Sequence, residues 1–395
     1  MKTVIITDGK YRSALAAARD LGRAGYRVVV TQTRADCAAE PPVFASVFAS
    51  GRWIEGGVGD LEYPDRLFEL IAGLGHGDGE AKDNAEPKEG AEQADAANAA
   101  VVSRPVLLCV GAGTLNAVAR ERERFAAVAD FLIAAPEVLD ALNDKEAVHA
   151  RAMELGLPVP REYEGEPEAY PVVIKPHCGE KAGLKAADRY AVARDAAEFR
   201  EKYEKMKAHD PAPIVQERVE GAGGGVSLLL GRESELLGAI CHRRLREYPM
   251  SGGPSTCCVT TFDPARIEQA HALLRSFGFV GLAMVEFKGD CILEVNPRIW
   301  GSFPLTVFAG SSICRSYALA AAGEAVTGEA ADDELGKKMR FCFNDLAASA
   351  DLLRHGKLKA GCSGLLDFFR VPEALKDRED LAAYRAYLRS YRKRG

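Results

Sequence analysis

Short apolar runs alternate with Ala-rich amphipathic stretches through the first part of the chain. The runs at residues 2–7, 27–31 and 105–110 read KTVIIT, RVVVT and PVLLCV. Residues 13–21 are Ala-rich and predict a helix that Gly22 or Gly25 ends. Strand, helix and strand in this order predict βαβ units, so we expect an α/β domain with a parallel sheet over residues 1–135.

Two segments of this region differ from the pattern. Residues 76–104 are rich in Ala, Glu, Asp, Gly and Lys, and they bury too little apolar surface to offset the entropy of ordering. We therefore expect a disordered insertion there. The segment from Gly111 to Gly113 resembles part of a dinucleotide fingerprint but lacks its last glycine, which favours a plain tight turn.

The pattern changes after residue 136, where short strands occur among helices. Helices are predicted over residues 137–142, 144–155 and 193–206, single strands over 171–176 and 213–219, and two hairpins over 226–241 and 279–296. From about residue 311 the pattern is mainly helical. We expect a domain over residues 136–325 and a helical extension over 326–395.

Lysine and glycine follow one of these strands. Lys175 ends the apolar run VVIKP, where a lysine either extends to solvent or meets an anion. Gly179 and Gly183 follow at once, and glycine lets backbone N–H groups approach phosphate oxygens closely. The combination favours a phosphate site.

The next strand ends in Gln216, Glu217, Arg218 and Val219 and is followed by Glu220 and a Gly-rich turn. An exposed sheet edge explains a glutamate at this place. A purine explains it equally well, because an extended segment can pair its backbone with the adenine edge. Both interpretations remain open from the residues alone.

Oxygen-bearing side chains share one face of the last hairpin. Glu294 and Asn296 are two residues apart on a strand. A three-residue loop at residues 288–290 would place Glu286 opposite Ile292 and diagonal to Glu294, on the same face. Such ligands suit Mg²⁺ shared with phosphates, and Arg298 is placed to stabilise a transferring phosphoryl group. The alternative is a solvated sheet face.

Cations surround a second Gly-rich loop. The cationic candidates are His242, Arg244 and Arg246, and the loop residues are Ser251, Gly252, Gly253 and Ser255. The segment is either a solvated hairpin end or a closing loop that binds a carboxylate or a phosphate.

Composition narrows the class of protein. The net charge of −6 argues against nucleic acid and anionic membranes as partners. The apolar run at the N-terminus is too short for a signal peptide and no run reaches the ~20 residues of a membrane helix, so we expect a cytoplasmic protein. The ten cysteines form no CxxC pair and fit buried free thiols.

The motifs in their order resemble the ATP-grasp superfamily over residues 136–310. The resemblance is carried by Asn143-Asp144-Lys145, VVIKP, QERVEG, VEF and LEVNPR. The segments HRRLREYPMSGGPS and NPRIWGS are similar to the bacterial carboxylate–amine ligase branch. The resemblance implies a two-subdomain α+β ATP-grasp fold between the N-terminal α/β domain and the helical tail.

It also implies roles for the candidate residues. Lys145 and Lys175 would contact the phosphates of ATP, and Glu217, Arg218 and Val219 would hold adenine. Glu286, Glu294 and Asn296 would hold one or two Mg²⁺ ions, with Mn²⁺ as an alternative. Arg298 would steady the γ-phosphoryl group, and His242, Arg244, Arg246 and the Gly252-Gly253 loop would face the phosphates or the carboxylate. Where relatives bind ribose with an acidic residue, this chain has a Gly-rich turn and only Glu220 as a substitute.

The implied reaction is attack of a carboxylate on ATP, followed by displacement of phosphate from the acyl-phosphate by an amine. The alternatives are an ATP-grasp enzyme with another nucleophile, such as a carboxylase, and a nucleotide-binding regulatory protein without turnover. The partners would be a small carboxylate and an amine. A homodimer is the commonest assembly for such a protein.

Overall fold

The structure is a computed structural model that describes residues 1–75, 104–177, 190–249, 253–326 and 335–392. The predicted insertion lies outside the described residues except for Arg104. Gly179, Ser251 and Gly252 also lie outside them. In the described part of the chain, no helix is long and apolar enough to cross a membrane.

Four parallel strands form the N-terminal sheet in the order β3-β2-β1-β4. The strands are β1 (Thr3–Ile6), β2 (Arg27–Thr33), β3 (Ser50–Ile54) and β4 (Val106–Leu108). The helices are α1 (Arg12–Arg23), α2 (Tyr63–Gly75), α3 (Ala112–Arg120) and α4 (Arg122–Ala126). The continuous apolar runs of β1 and β4 fit strands that helices cover on both faces. Gly111 immediately precedes α3 and donates its N–H to Asp8, which is the tight turn expected there.

A three-stranded antiparallel sheet follows, in the order β6-β5-β7. Its strands are β5 (Val172–Lys175), β6 (Ala191–Ala193) and β7 (Ile214–Glu217). Helices α5 (Pro136–Asn143) and α6 (Lys145–Glu154) precede it, and α7 (Ala196–Lys207) connects two of its strands. The side chain of Asp144 accepts hydrogen bonds from the N–H groups of Glu146 and Ala147, so this N-cap starts α6 at Lys145.

The third sheet has six antiparallel strands in the order β12-β11-β8-β9-β10-β13. The strands are β8 (Gly223–Leu230), β9 (Leu236–Glu247), β10 (Ser255–Thr261), β11 (Gly281–Lys288), β12 (Cys291–Asn296) and β13 (Lys338–Arg340). Helices α8 (Pro264–Ser276), α9 (Phe303–Phe308) and α10 (Ile313–Ala321) lie between them in sequence. The fold class is the one expected: a parallel α/β sheet followed by two antiparallel sheets with helices.

The C-terminal extension, predicted to be mainly helical, also contributes one short strand to a sheet. It contains α11 (Cys342–Arg354), α12 (Leu358–Arg370) and α13 (Leu381–Arg392), but β13 pairs with β10 as an edge strand. Apolar side chains of the N-terminal sheet, the six-stranded sheet and α13 share one core. Side chains from both sides of residues 135 and 325 belong to this one core, so packing marks no boundary there. The domain limits at these residues stay a prediction.

A buried ion pair joins the two ends of the chain. Nε of Arg19, on α1, donates to Oδ2 of Asp380 at 2.8 Å, and the Asp380 side chain is fully buried. The same carboxylate accepts from Oγ of Ser46 and from the N–H of Val47. The remaining Arg19 nitrogens donate to the carbonyls of Leu375 and Asp380. The pair therefore fixes the C-terminal segment against the N-terminal domain.

We predict that Asp380→Ala lowers the free energy of unfolding by about 3 kcal/mol, because buried Arg19 loses its hydrogen-bonded carboxylate and keeps only Asp377, at 3.9 Å, as an ion-pair partner. Glu379→Ala is the matched control, since Glu379 is exposed and pairs with Arg23 at the surface. Its cost should stay below about 1 kcal/mol. Urea denaturation measures both, and equal losses would contradict the buried-pair interpretation.

Candidate active site

Two glutamates stand directly opposite each other on the β11–β12 hairpin. Glu286 pairs with Glu294, whereas Phe287 pairs with Ile292, so Leu293 is an extra residue in β12. The expected diagonal geometry was wrong: the turn is only Gly289-Asp290, and a β-bulge at Leu293 restores the face. The Leu293 carbonyl contacts Nε2 of His149 at 3.0 Å.

The two carboxyl groups have opposite electrostatic surroundings. Burial and the charge of Glu294 raise the pKa of Glu286, although Arg244 opposes them. Burial also acts to raise the pKa of Glu294, but Lys145 and Lys175 outweigh it and lower that pKa. Nζ of Lys145 lies 3.6 Å from Oε2 of Glu294. Glu294 is therefore the more firmly ionised of the pair.

Asn296 and Arg298 complete this end of the hairpin. Nδ2 of Asn296 donates to Oε1 of Glu286 at 3.2 Å. The charge of Arg298 opposes the rise of the Glu286 pKa and contributes to the lowering of the Glu294 pKa, and its Nη1 donates to the carbonyl of Ile299. The hairpin thus brings together the four residues expected to hold metal and phosphoryl groups.

Lys175 extends from β5 towards the same carboxylates. Its pKa is lowered to about 8 by burial and then by Lys145, while Glu294 and Glu162 act to raise it. Two lysines from different elements therefore converge on Glu294. Converging ammonium groups are what a polyphosphate chain requires.

Arg244 is the best-anchored cation of the site. Its Nη2 donates to Glu286 at 3.2 Å, its Nη1 to Glu247 at 2.9 Å and its Nε to Oγ of Ser255 at 3.0 Å. A guanidinium held at three nitrogens keeps one orientation. Ser255 thus orients Arg244 in this structure.

His242 lies in the same row of the sheet but is not a charged contact. The row runs through Glu294, Glu286, Gly225 and His242, on β12, β11, β8 and β9. Burial, and then Arg244, lowers the pKa of His242 to about 4, so the ring is neutral near pH 7. Its Nε2 contacts Oγ of Ser302 at 3.3 Å. The neutral ring brings no charge to a phosphate or a carboxylate, and its contact with Ser302 links β9 to the segment before α9.

Glycine in β8 makes this packing feasible. A Cβ on Gly225 would lie 2.8 Å from Cε1 of His242 and 2.9 Å from Sδ of Met284. A Cβ on Gly224 would lie 2.5 Å from the His242 carbonyl. The Gly-rich segment expected to be a turn is therefore partly strand, and its glycines admit the neighbouring side chains.

Arg246 is not part of the cluster around the glutamates. Its Nε and Nη2 donate to Asp345 of α11, and its Nη1 donates to Asp367 of α12. Leu245 is an extra residue opposite β10, since Arg244 pairs with Cys258 and Arg246 with Cys257. This bulge directs Arg244 and Arg246, which lie two residues apart, to different partners. The expected substrate contact is replaced by an anchor for the C-terminal helices.

The segment after β7 uses part of its backbone internally. The N–H of Glu217 donates to the Arg161 carbonyl and the N–H of Arg218 to that of Pro171. The side chain of Glu217 accepts from the N–H of Arg161. Of the backbone N–H groups expected to meet adenine, the structure therefore leaves that of Val219 as the candidate.

Gln216 has a different role from the one expected. Its Nε2 contacts Nδ1 of His149 at 2.9 Å and Oε1 of Glu162 at 2.7 Å, and its side chain is buried. The hydrogen bond from His149 lowers the pKa of Glu162 although burial opposes it. This network joins α6 to the three-stranded sheet beside Lys175.

The segment from Val219 to Ala222 lies against the hairpin turn. A Cβ on Gly289 would lie 2.7 Å from the Glu220 carbonyl, and the N–H of Gly289 donates to the Ala222 carbonyl. Glu220 itself is exposed. At the other loop, a Cβ on Gly253 would lie 1.8 Å from the Tyr248 carbonyl, so only glycine fits there.

The donor set fits a metal shared with a ligand. Among the described residues, no group of three or more His, Cys, Asp and Glu side chains is placed to hold a metal ion. Two opposed carboxylates and one amide remain, and like charges directly opposite in a sheet repel each other. Mg²⁺ is commonly bound by one or two carboxylates together with substrate phosphates. Glu286, Glu294 and Asn296 therefore fit Mg²⁺.

Sequence reasoning missed three residues beside the site. Glu247 binds Arg244, and Glu162 acts on Lys175. Burial and then Glu247 raise the pKa of Tyr190 to about 12, while Arg244 and Arg218 lower it. No periodicity marked Tyr190 or Glu162, whereas Glu247 could have been recognised as an acid next to three arginines.

Comparison with known proteins identifies the fold. Residues 142–302 match the family model of the ATP-grasp domain. No curated protein matches the chain. The match and the structural neighbours confirm the resemblance to the ATP-grasp superfamily: the chain carries an ATP-grasp domain.

Solved structures of low sequence identity share the architecture. The biotin carboxylase of Campylobacter jejuni, in complex with an ATP analogue, is 14% identical with a TM-score of 0.59, over 85% of this chain and 74% of that one. The biotin carboxylase domain of the Hydrogenobacter thermophilus 2-oxoglutarate carboxylase, a dimer with MgADP, is 14% identical with a TM-score of 0.59, over 85% of this chain and 73% of that one. The L-amino acid ligase of Bacillus licheniformis is 14% identical with a TM-score of 0.52, over 82% of this chain and 74% of that one. These neighbours are enzymes.

We predict opposite shifts of the Lys175 pKa from two substitutions. Lys145→Met removes a like charge and should raise the pKa from about 8 towards the ordinary value of lysine. Glu294→Gln removes an attractive charge and should lower it. The pH dependence of amine labelling, read by mass spectrometry with exposed Lys205 as the reference for labelling efficiency, measures both. Shifts of the same sign would contradict this electrostatic arrangement.

We also predict that Arg244 and Arg246 of β9 differ in function. Arg246→Met should lower the free energy of unfolding by about 3 kcal/mol or more, because Asp345 is buried. It should leave the Kd for MgATP unchanged. Arg244→Met should weaken MgATP binding at least about tenfold through loss of a charge-assisted contact. Calorimetry measures both affinities. An equal loss of MgATP affinity in Arg246→Met would indicate that Arg246 belongs to the nucleotide site.

Proposed function

We propose that the protein is an ATP-dependent carboxylate–amine ligase. The observation that carries this proposal is the opposed pair Glu286 and Glu294, with Lys145, Lys175, Arg244 and Arg298 around it. The arrangement suits a Mg²⁺-bound polyphosphate. The reaction forms an amide through an acyl-phosphate and releases ADP and phosphate.

The residues have distinct parts in this scheme. Lys145 and Lys175 bind phosphate oxygens, and Mg²⁺, when bound by Glu286, Glu294 and Asn296, neutralises charge on the phosphates. Arg298 lies beside both glutamates, where it stabilises charge on the transferred group. Arg244 is held by Glu247 and Ser255 and so directs its guanidinium at the same place.

The state of three described side chains near the site supports transfer directly between bound substrates. The buried thiols of Cys257 and Cys258 have pKa values raised above the ordinary value, to about 12 for Cys257, by burial. The imidazole of His242 is buried and neutral near pH 7. None of these is an activated covalent nucleophile. Catalysis by positioning and electrostatics fits what remains.

Further residues are proposed to bind adenine, ribose and phosphate and to close the site. The N–H of Val219 is the proposed donor to adenine, with Glu220 the candidate near the ribose. Ser251, Gly252 and Gly253 stay the proposed closing loop, and Gly179 stays a proposed phosphate contact. We propose a cytoplasmic enzyme that acts on small molecules, with a homodimer as its assembly.

The test is acyl-phosphate trapping with hydroxylamine. We expect the protein with MgATP and pooled small carboxylates to give a hydroxamate and ADP together, because hydroxylamine replaces the amine. Glu294→Gln should abolish both products, since it removes a metal-binding charge. Glu268→Gln is the matched control, as Glu268 is exposed on α8, and it should retain both.

Other outcomes discriminate the alternatives. ADP release that needs bicarbonate and gives no hydroxamate with any carboxylate would instead support the carboxylase-like reaction, which the biotin carboxylase neighbours make the second candidate. MgATP binding without ADP from any pool would support a regulatory nucleotide-binding protein. Full hydroxamate formation by Glu294→Gln would refute the proposed metal site.

A further inference from the structure

The proposed reaction gives no part to His149, a buried side chain that contacts both antiparallel sheets. The residue lies on α6, about one helical turn after Lys145, and is 1% exposed. Its Nε2 lies 3.0 Å from the carbonyl oxygen of Leu293, in β12 of the six-stranded sheet. Its Nδ1 lies 2.8 Å from Oε1 of Glu162, which pairs through its backbone with Gln216 of the three-stranded sheet. One imidazole ring therefore joins the two sheets beside the candidate active site.

The carbonyl that Nε2 contacts belongs to the bulge in β12. Glu286 and Glu294 are paired, and the register shifts directly after this pair, so Leu293 faces no residue of β11. The extra residue of a bulge is left unpaired in the ladder. If β12 had no extra residue here, its pairing would slip by one position and the Glu294 side chain would point to the opposite face from Glu286. The bulge at Leu293 therefore decides where the Glu294 carboxylate lies.

Hydrogen bonds on both sides of the ring fix its orientation. A carbonyl oxygen only accepts hydrogen bonds, so Nε2 of His149 carries a proton and donates to Leu293. Nδ1, on the other side, lies within hydrogen-bond distance of Glu162 and also of Nε2 of Gln216, at 2.9 Å. Gln216 in turn donates to Glu162 at 2.7 Å. The ring cannot rotate away from Leu293 without losing the contacts that Nδ1 makes.

The bulge is held from outside its own sheet. β12 is an edge strand of the six-stranded sheet, so one side of its backbone faces away from β11. The N–H of Ile292 donates to the Pro158 carbonyl at 2.8 Å, and the Leu293 carbonyl accepts from His149. If His149 were replaced, Pro158 would still hold Ile292, but the bulge residue itself would lose this contact.

We propose that His149 is a positioning residue that holds the β12 bulge and so keeps the Glu294 carboxylate in place for Mg²⁺. It acts through the Leu293 carbonyl, next to Glu294 in sequence, and touches neither the metal nor the nucleotide. The inference rests on the metal site of the proposed function and adds a residue to it. Replacing a group that orients a metal ligand typically changes metal affinity about 10–100-fold.

Two substitutions separate the two sides of the ring. The amide nitrogen of glutamine is at the ε position of its side chain, like Nε2 of histidine, and that of asparagine is at the δ position, like Nδ1. His149→Gln therefore keeps a donor for Leu293 and loses the contact with Glu162. His149→Asn keeps the contact with Glu162 and loses the donor for Leu293. Both variants replace the same buried ring by a neutral amide, so each is the control for the other.

The probe is a non-hydrolysable ATP analogue, titrated by calorimetry into the full chain with and without Mn²⁺. The gain in affinity that Mn²⁺ gives reports the metal site and needs no turnover, so it does not depend on the ligase reaction. We expect His149→Asn to reduce this gain at least about tenfold and His149→Gln to keep most of it. The affinity for the metal-free analogue should change little in either variant.

A third variant and a stability measurement separate positioning from misfolding. His149→Met has no donor and nearly the volume of histidine, so it should lose the Mn²⁺ gain as His149→Asn does. Urea denaturation gives the free energy of unfolding of each variant. A purely structural role would lower that free energy in all three variants and would not separate His149→Gln from the other two in the Mn²⁺ gain.

Two results would overturn the inference and leave the proposed metal site in place. One is a Mn²⁺ gain that both His149→Asn and His149→Met retain. The other is an equal loss of the gain in His149→Gln and His149→Asn, because the contact with Leu293 would then not be the one that matters. No Mn²⁺ gain in the unaltered protein would refute the metal site itself, and this inference with it.

Discussion

The repulsion between Glu286 and Glu294 is the constraint that organises this molecule. Two carboxylates directly opposite on adjacent strands are unfavourable unless cations compensate them. The fold brings those cations from separate elements: Lys145 from the start of α6, Lys175 from the end of β5 and Arg244 from β9. The negative charge of the β11–β12 hairpin is therefore compensated only when all three elements are in place. The three-stranded and six-stranded sheets are thereby joined electrostatically at one place.

Small residues make that convergence sterically feasible. Gly225 lies between Glu286 and His242 in the row, and Gly289 lets the segment after β7 approach the hairpin turn. The His149, Glu162 and Gln216 network adds a polar contact beside Lys175. Its members satisfy each other, so burying them has little cost. The site is thus supported by hydrogen bonds to the Glu162 carboxylate on one side and by ion pairs on the other.

The sequence predicts the parts of this site whose signals are local. Strand periodicity placed Glu294 and Asn296 on one face, and helical periodicity predicted the helix over residues 144–155 that carries Lys145. Bulges were not predictable, because they depend on packing between distant elements: Leu293 meets His149, and Leu245 separates Arg244 from Arg246. The loop length assumed for the hairpin was wrong, yet the bulge restored the expected face. β10, with its β-branched sequence STCCVTT, was overlooked because the Gly-rich loop before it dominated the interpretation.

Arg244 and Arg246 of β9 show how one irregularity gives neighbouring side chains of a strand separate roles. In a regular strand Arg244 and Arg246 would share a face and both would extend towards the glutamates. The bulge instead gives Arg246 to Asp345 and Asp367, and this pairing holds α11 and α12 against the sheet. The same departure from strand geometry that keeps Arg244 beside Glu286 therefore also fixes the C-terminal helices to the six-stranded sheet.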